Sequence, residues 1–111
     1  MTGYRQPAIG RLALSLTRLP GQFLADGCRL TVEIDGYRHV RAWGNNLFEL
    51  VPGNHLVNVW FEYMLTSTAN RATCWIPIYA GYDTFARYQT AFFVYSAGSL
   101  IVLGQQPFPP G

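Results

Sequence analysis

Residues Arg29 to Tyr63 read RLTVEIDGYRHVRAWGNNLFELVPGNHLVNVWFEY, and this stretch decides the fold. Leu30, Val32 and Ile34 alternate with Thr31 and Glu33, the period of two that belongs to a strand with one buried face. Asp35-Gly36 then forms a favoured hairpin turn, because both residue types tolerate positive φ. Tyr37 to Trp43 returns, Gly44-Asn45-Asn46 signals a second turn, and Leu47 to Val51 is a short strand closed by Pro52-Gly53. The longest strand candidate is His55 to Met64. His55, Val57, Val59, Phe61 and Tyr63 take one side; Asn58 and Glu62 mark the other as solvated, yet Leu56 and Trp60 also lie there.

Outward from this stretch the same pattern continues. Upstream, Gly10 to Arg18 places Leu12, Leu14 and Leu16 on one side and Arg11, Ala13, Ser15 and Thr17 on the other. Leu19-Pro20-Gly21 breaks that strand, and a connection over Gln22 to Gly27 turns at Asp26-Gly27 into a strand over Cys28 to Asp35. Downstream, Thr66 to Arg71 reads as a polar loop. Ala72 to Ala80 reads as a strand that Pro77 confines to an edge or a bulge. Gly81-Tyr82-Asp83 reads as a turn, and Phe85 to Tyr95 pairs with Leu100 to Leu103 across Ser96-Ala97-Gly98-Ser99. No segment sustains a helical period. The expected fold is an all-β, immunoglobulin-like antiparallel β-sandwich of seven or eight strands spanning residues 10–104. A loosely held arm, residues 1–9, precedes it, and an extended Pro-rich tail, residues 105–111, follows.

A chain of 111 residues makes one domain. Such a domain buries roughly 60–70% of its unfolded surface, enough for one core without metal or disulfide staples. Only 13% of residues are charged, about half the usual share. The net charge is +2, and every basic residue is Arg. These arginines are scattered rather than clustered, which argues against a nucleic-acid partner. Tyr88 to Gly111 carries no charge at all, but its apolar run is broken by Ser96-Ala97-Gly98-Ser99 and falls short of the roughly 20 residues a spanning helix needs. Two buried strands are expected there, not a membrane span. The first residues lack the marks of a signal peptide, so a cytoplasmic setting is expected, with Cys28 and Cys74 free and buried rather than bridged.

The central stretch resembles the PEGA-type and related immunoglobulin-like modules of bacterial proteins. The residues that carry the resemblance are Val32, Ile34, Asp35 and Gly36, then Pro52, Gly53, His55, Val57 and Val59. The namesake Pro-Glu-Gly-Ala segment is absent; Leu24-Ala25-Asp26-Gly27 stands near its place. The stretch is also similar to short actinobacterial proteins with an Ile-Asp-Gly…Pro-Gly-x-His pattern. The resemblance implies an interaction or surface domain and supplies no catalytic residue. Cys28, Trp43 and Cys74 share the Cys…Trp…Cys order of antibody-type domains, but Ala72 stands where those have Tyr.

Candidate chemistry is sparse. His39 and His55 have no HxH or HxxxH spacing, there is no CxxC, and a metal site needs three or four converging ligands. Asp26, Asp35 and Asp83 occupy or adjoin turns, where local hydrogen bonding favours them. No cofactor, metal or catalytic residue is expected, and the protein is not expected to be an enzyme. Its 17 aromatic residues are more than one small core readily encloses. Trp60 lies opposite Val59 and Phe61 in the strand period, so an aromatic sheet face is expected to be exposed. The candidate interface residues are Trp60, Leu56 and Trp43. The expected function is a non-catalytic protein-interaction module, self-associating or docking as a small subunit of a larger assembly. The alternative is a carbohydrate-binding module that stacks sugar rings on Trp43 or Trp60.

Overall fold

A computed structural model describes residues 9–19, 29–63, 67–91 and 96–109. They form eight strands: β1 Gly10–Thr17, β2 Arg29–Ile34, β3 Tyr37–Arg41, β4 Gly44–Leu50, β5 Gly53–Tyr63, β6 Ser67–Ile78, β7 Tyr82–Gln89 and β8 Ser99–Pro107. No helix occurs among the described residues, and none is long and apolar enough to cross a membrane. Residues 1–8 of the N-terminal arm and the Asp26-Gly27 turn lie outside the described residues.

The strands build two four-stranded sheets, ordered β4-β1-β7-β8 and β3-β2-β5-β6. Between the sheets lie Leu12, Leu14 and Leu16 of β1, Phe48 of β4, and Ala86, Tyr88 and Leu100 of β7 and β8. Leu30, Val32, Ile34, Val57, Val59, Phe61, Ile76 and Ile78 come from the second sheet. The all-β sandwich is therefore present, and its core is the set of inward positions in the period of two. Its strand order differs from the immunoglobulin constant-type order, in which the first strand neighbours the second. Here β1 lies between β4 and β7, and its pairing with β7 is parallel, whereas every other neighbouring pair is antiparallel.

Four local expectations are corrected. Gly44-Asn45-Asn46 is not a turn but the start of β4, paired with Leu16, Ser15 and Leu14; the chain reverses at Ala42 and Trp43 instead. Gly81 does turn, with Tyr82 N–H donating to Tyr79 O at 3.1 Å, but Tyr82 and Asp83 already belong to β7. The polar segment from Ser67 to Arg71 is not a loop. It extends β6, because its inward residues Ala69 and Ala72 cover Phe61 and Val59 across the pair, and the polar residues either face out or find partners. The tail begins later than expected: Gln105, Gln106 and Pro107 pair with Thr84, Asp83 and Tyr82. Pro107 is tolerated because it closes an edge strand, where a missing N–H breaks no ladder.

Two devices lock the sheets together. The first is a bulge in β6, where three residue steps from Ala72 to Ala69 oppose two from Val59 to Phe61. Asn70 absorbs the bulge at φ 50°, a left-handed conformation that Asn adopts more readily than most residues. It is buried and reaches across to the other sheet's connection: its Nδ2 donates to Ser96 O at 2.8 Å, and its Oδ1 accepts from Ala91 N–H at 3.0 Å. Its carbonyl accepts from the Tyr88 hydroxyl at 2.7 Å, deep in the core. Burial holds the Tyr88 phenol well above its ordinary pKa. The second device is a close approach at Gly10, where a Cβ would lie 2.3 Å from Tyr79 O and 2.6 Å from Ile78 Cγ2.

Candidate interaction surface

The outer face of the second sheet is largely self-satisfied. One row crosses all four strands through the pairs Arg38–Glu33, Glu33–Asn58 and Asn58–Thr73. Arg38 Nε donates to Glu33 Oε2 at 3.2 Å, Asn58 Nδ2 donates to Glu33 Oε1 at 3.1 Å, and Thr73 Oγ1 donates to Asn58 Oδ1. Each long polar group thus has a fixed partner in the neighbouring strand.

Trp60 corrects the central expectation about exposure. It lies on this outer face opposite Thr31, yet it is only 3% exposed. Two guanidinium groups cover the ring, Arg71 with its Cζ 4.3 Å from the centroid and Arg38 with its Cζ at 5.4 Å. Arg fits such a role better than Lys, because its planar, weakly hydrated cation stacks on a ring face. The same arrangement recurs with Arg41 on Phe48, Arg18 on Trp43 and Arg11 on Phe108. Much of the apparent aromatic excess is therefore covered by the chain's own arginines. Trp43 is half-buried, packed on the core with its ring 6.2 Å from that of Phe61, and Leu56 is half-buried as well. The three candidates do not form an exposed cluster. The tryptophan that stands out from the surface is Trp75, 63% exposed on β6 opposite Leu56.

The histidines do not converge. His39 packs edge-on against Phe48, with centroids 5.4 Å apart. His55 is buried and holds two turns together: Nδ1 meets Asp35 Oδ2 at 2.5 Å in the β2–β3 turn, and Nε2 donates to Val51 O at 2.7 Å before β5. Asp35 Oδ1 also accepts from Leu56 N–H at 3.0 Å. Partial burial works to raise the Asp35 pKa, but the hydrogen bonds from His55 and Leu56 and the charge of His55 outweigh it and hold the carboxyl below its ordinary range. With both nitrogens engaged, the Asp35–His55 pair is a clasp between turns rather than a base facing solvent. Cys74 is a free, half-buried thiol, and Cys28 lies outside the described residues. Among the described residues no three His, Cys, Asp or Glu side chains gather as a metal site.

The outer face of the first sheet differs. Its charged row, Glu49, Arg11, Asp83 and Gln106, is fixed by a forked pair in which Arg11 Nε and Nη2 donate to Asp83 at 2.6 and 3.0 Å. The next row is apolar: Leu47, Ala13 and Phe85 lie side by side on β4, β1 and β7, opposite Gly104 of β8. A bulge in β8 at this point adds Leu103 to the row, and Ile101 follows it. Leu47 is 55% exposed, Leu103 53% and Ile101 43%, while Ala13 and Phe85 are half-buried. Phe85, Leu103 and Gly104 line a shallow open depression with Gln105 and Gln106. Sequence reading found the outward set of β1 but not this stripe, because its members belong to strands up to 90 residues apart and meet only through the register. The chain matches no family model, no curated protein and no solved structure.

Proposed function

We propose that this chain is a non-catalytic protein-interaction module, one that self-associates or docks as a small subunit of a larger assembly. The observation that carries this reading is the exposed apolar stripe Leu47–Ala13–Phe85–Leu103, continued by Ile101, on the outer face of the first sheet. Apolar rows that cross a whole sheet face are uncommon on a surface with no partner. The opposite face offers no such row, since Trp60 is covered and the Arg38–Glu33–Asn58–Thr73 ladder is hydrogen-bonded. The likeness to PEGA-type modules points the same way.

The solution mass of the purified chain, by light scattering coupled to size exclusion, tests this reading. A species heavier than the 12.5 kDa monomer at micromolar concentration is the expected result. A second reading, carbohydrate stacking, now rests on Trp75 rather than on Trp43 or Trp60, because Trp75 is the tryptophan whose ring faces solvent. Quenching of tryptophan fluorescence by oligosaccharide, lost in Trp75→Ala, would favour it over the interaction reading.

A further inference from the structure

We infer that β8 is the self-association edge: two copies pair β8 to β8, antiparallel about a two-fold axis, and join their first sheets into one continuous eight-stranded sheet. The inference rests on the interaction reading and specifies its partner as a second copy of this chain.

The four edge strands differ in how they resist pairing. An unpaired strand edge presents alternate N–H and C=O groups to any incoming strand, and proteins usually blunt such edges with charge, Pro or bulges. β3 carries Arg38 and Arg41. β4 carries Glu49, and Asn46 Nδ2 donates to the backbone oxygens of Ala42 and Gly44. β6 has the Asn70 bulge, Arg71 and Pro77. In β8, SLIVLGQQP, there is no charged residue, and its bulge and proline lie beyond the segment Ser99 to Val102. Among the described residues β8 is the edge strand without charge, and pairing about Val102 takes in its bulged Leu103 and Gly104 as well as the regular segment.

The charge pattern is compatible with self-pairing. A two-fold axis brings every residue near its own copy, so any charge on the edge would face a like charge. Ser99 to Pro107 has none, and the chain carries no charge from Tyr88 onward. With the axis at Val102, Ile101 of each copy stands opposite Leu103 of the other on the outer face. Both side chains are exposed in the single chain; on β7, Phe85 lies beside Leu103 and Gly104, and Arg87 lies opposite Ile101. The stripe from Leu47 to Leu103 then runs on into the second copy's stripe, and backbone hydrogen bonds close the edge.

Ile101→Lys and Leu103→Lys, each made in the full chain, test the pairing by light scattering, with Val40→Lys on the β3 edge as the control. A dimer for the unaltered chain and for Val40→Lys, with the mass halved in both β8 variants and their circular dichroism unchanged, is the expected result. A dimer that persists in both β8 variants would overturn the β8 pairing and leave self-association standing through another surface. A monomer in the unaltered chain at every concentration would overturn both. Should the β8 variants fail to fold, hydrogen exchange on the unaltered chain decides. Slowing of the Leu100 to Leu103 amides with rising concentration, with β3 amides unaffected, upholds the pairing; concentration-independent exchange overturns it.

Discussion

Replacing Asn70 with Ala removes the side-chain bonds to Ser96 O and Ala91 N–H and leaves a residue without a polar side chain at φ 50°. A loss of about 2–4 kcal/mol in unfolding free energy is expected, read by denaturant titration. Tyr88→Phe should cost less, about 1–2 kcal/mol, because it only deprives the Asn70 carbonyl of a donor. Trp60→Ala belongs with these substitutions and not with interface changes. It empties a covered site beneath Arg71 and Arg38, so a loss of roughly 3–5 kcal/mol in stability is expected, with the Ile101–Leu103 surface untouched. The Asp35–His55 clasp gives a pH signature. The folded carboxyl titrates below its unfolded value, so its contribution is complete above the unfolded pKa and is lost as pH falls through the folded one. Asp35→Asn should therefore flatten the acid limb of a stability profile below about pH 4 and lower stability at neutral pH. An unchanged acid limb would remove the clasp from acid stability.

At the scale of the elements, Gly10 marks where the start of β1 meets the end of β6. Gly10→Ala forces Tyr79 O and Ile78 apart from the new methyl group, and a loss of about 1–3 kcal/mol is expected, measured by thermal unfolding. Strands of this kind were legible wherever the period of two was clean. Leu12-Leu14-Leu16 and Leu30-Val32-Ile34 name their own buried face, and Asp35-Gly36 turns with positive φ at both residues, as its chemistry requires. The reading failed where tertiary partners decide. Ser67 to Arg71 looks like a loop because nothing local reveals that Asn70 is satisfied by residues 91 and 96. Trp60 looks exposed because the period assigns it to the outer face, and period alone carries no information about Arg71, eleven residues further on. Gln105 to Pro107 reads as tail because polar residues and Pro are poor strand formers, but the edge beside β7 accepts them.

For the whole molecule, arginine replaces lysine for a reason visible in the packing. The five guanidiniums that lie on Trp60, Trp43, Phe48 and Phe108 hide aromatic surface on both sheets, while Leu47, Leu103 and Ile101 stay exposed along the stripe that ends at β8. The parallel seam between β1 and β7 has a consequence of a different kind. Arg11 and Asp83, partners across that seam, are separated by 72 positions in the chain. The first sheet therefore cannot close until nearly the whole chain is available, and closing so long a loop must precede any contact that rewards it. Until that seam forms, β1 has β4 alone beside it, and the apolar residues of β7 and β8 have no sheet to join. Folding on the millisecond-to-second scale typical of sandwiches follows from the position of that single parallel pair.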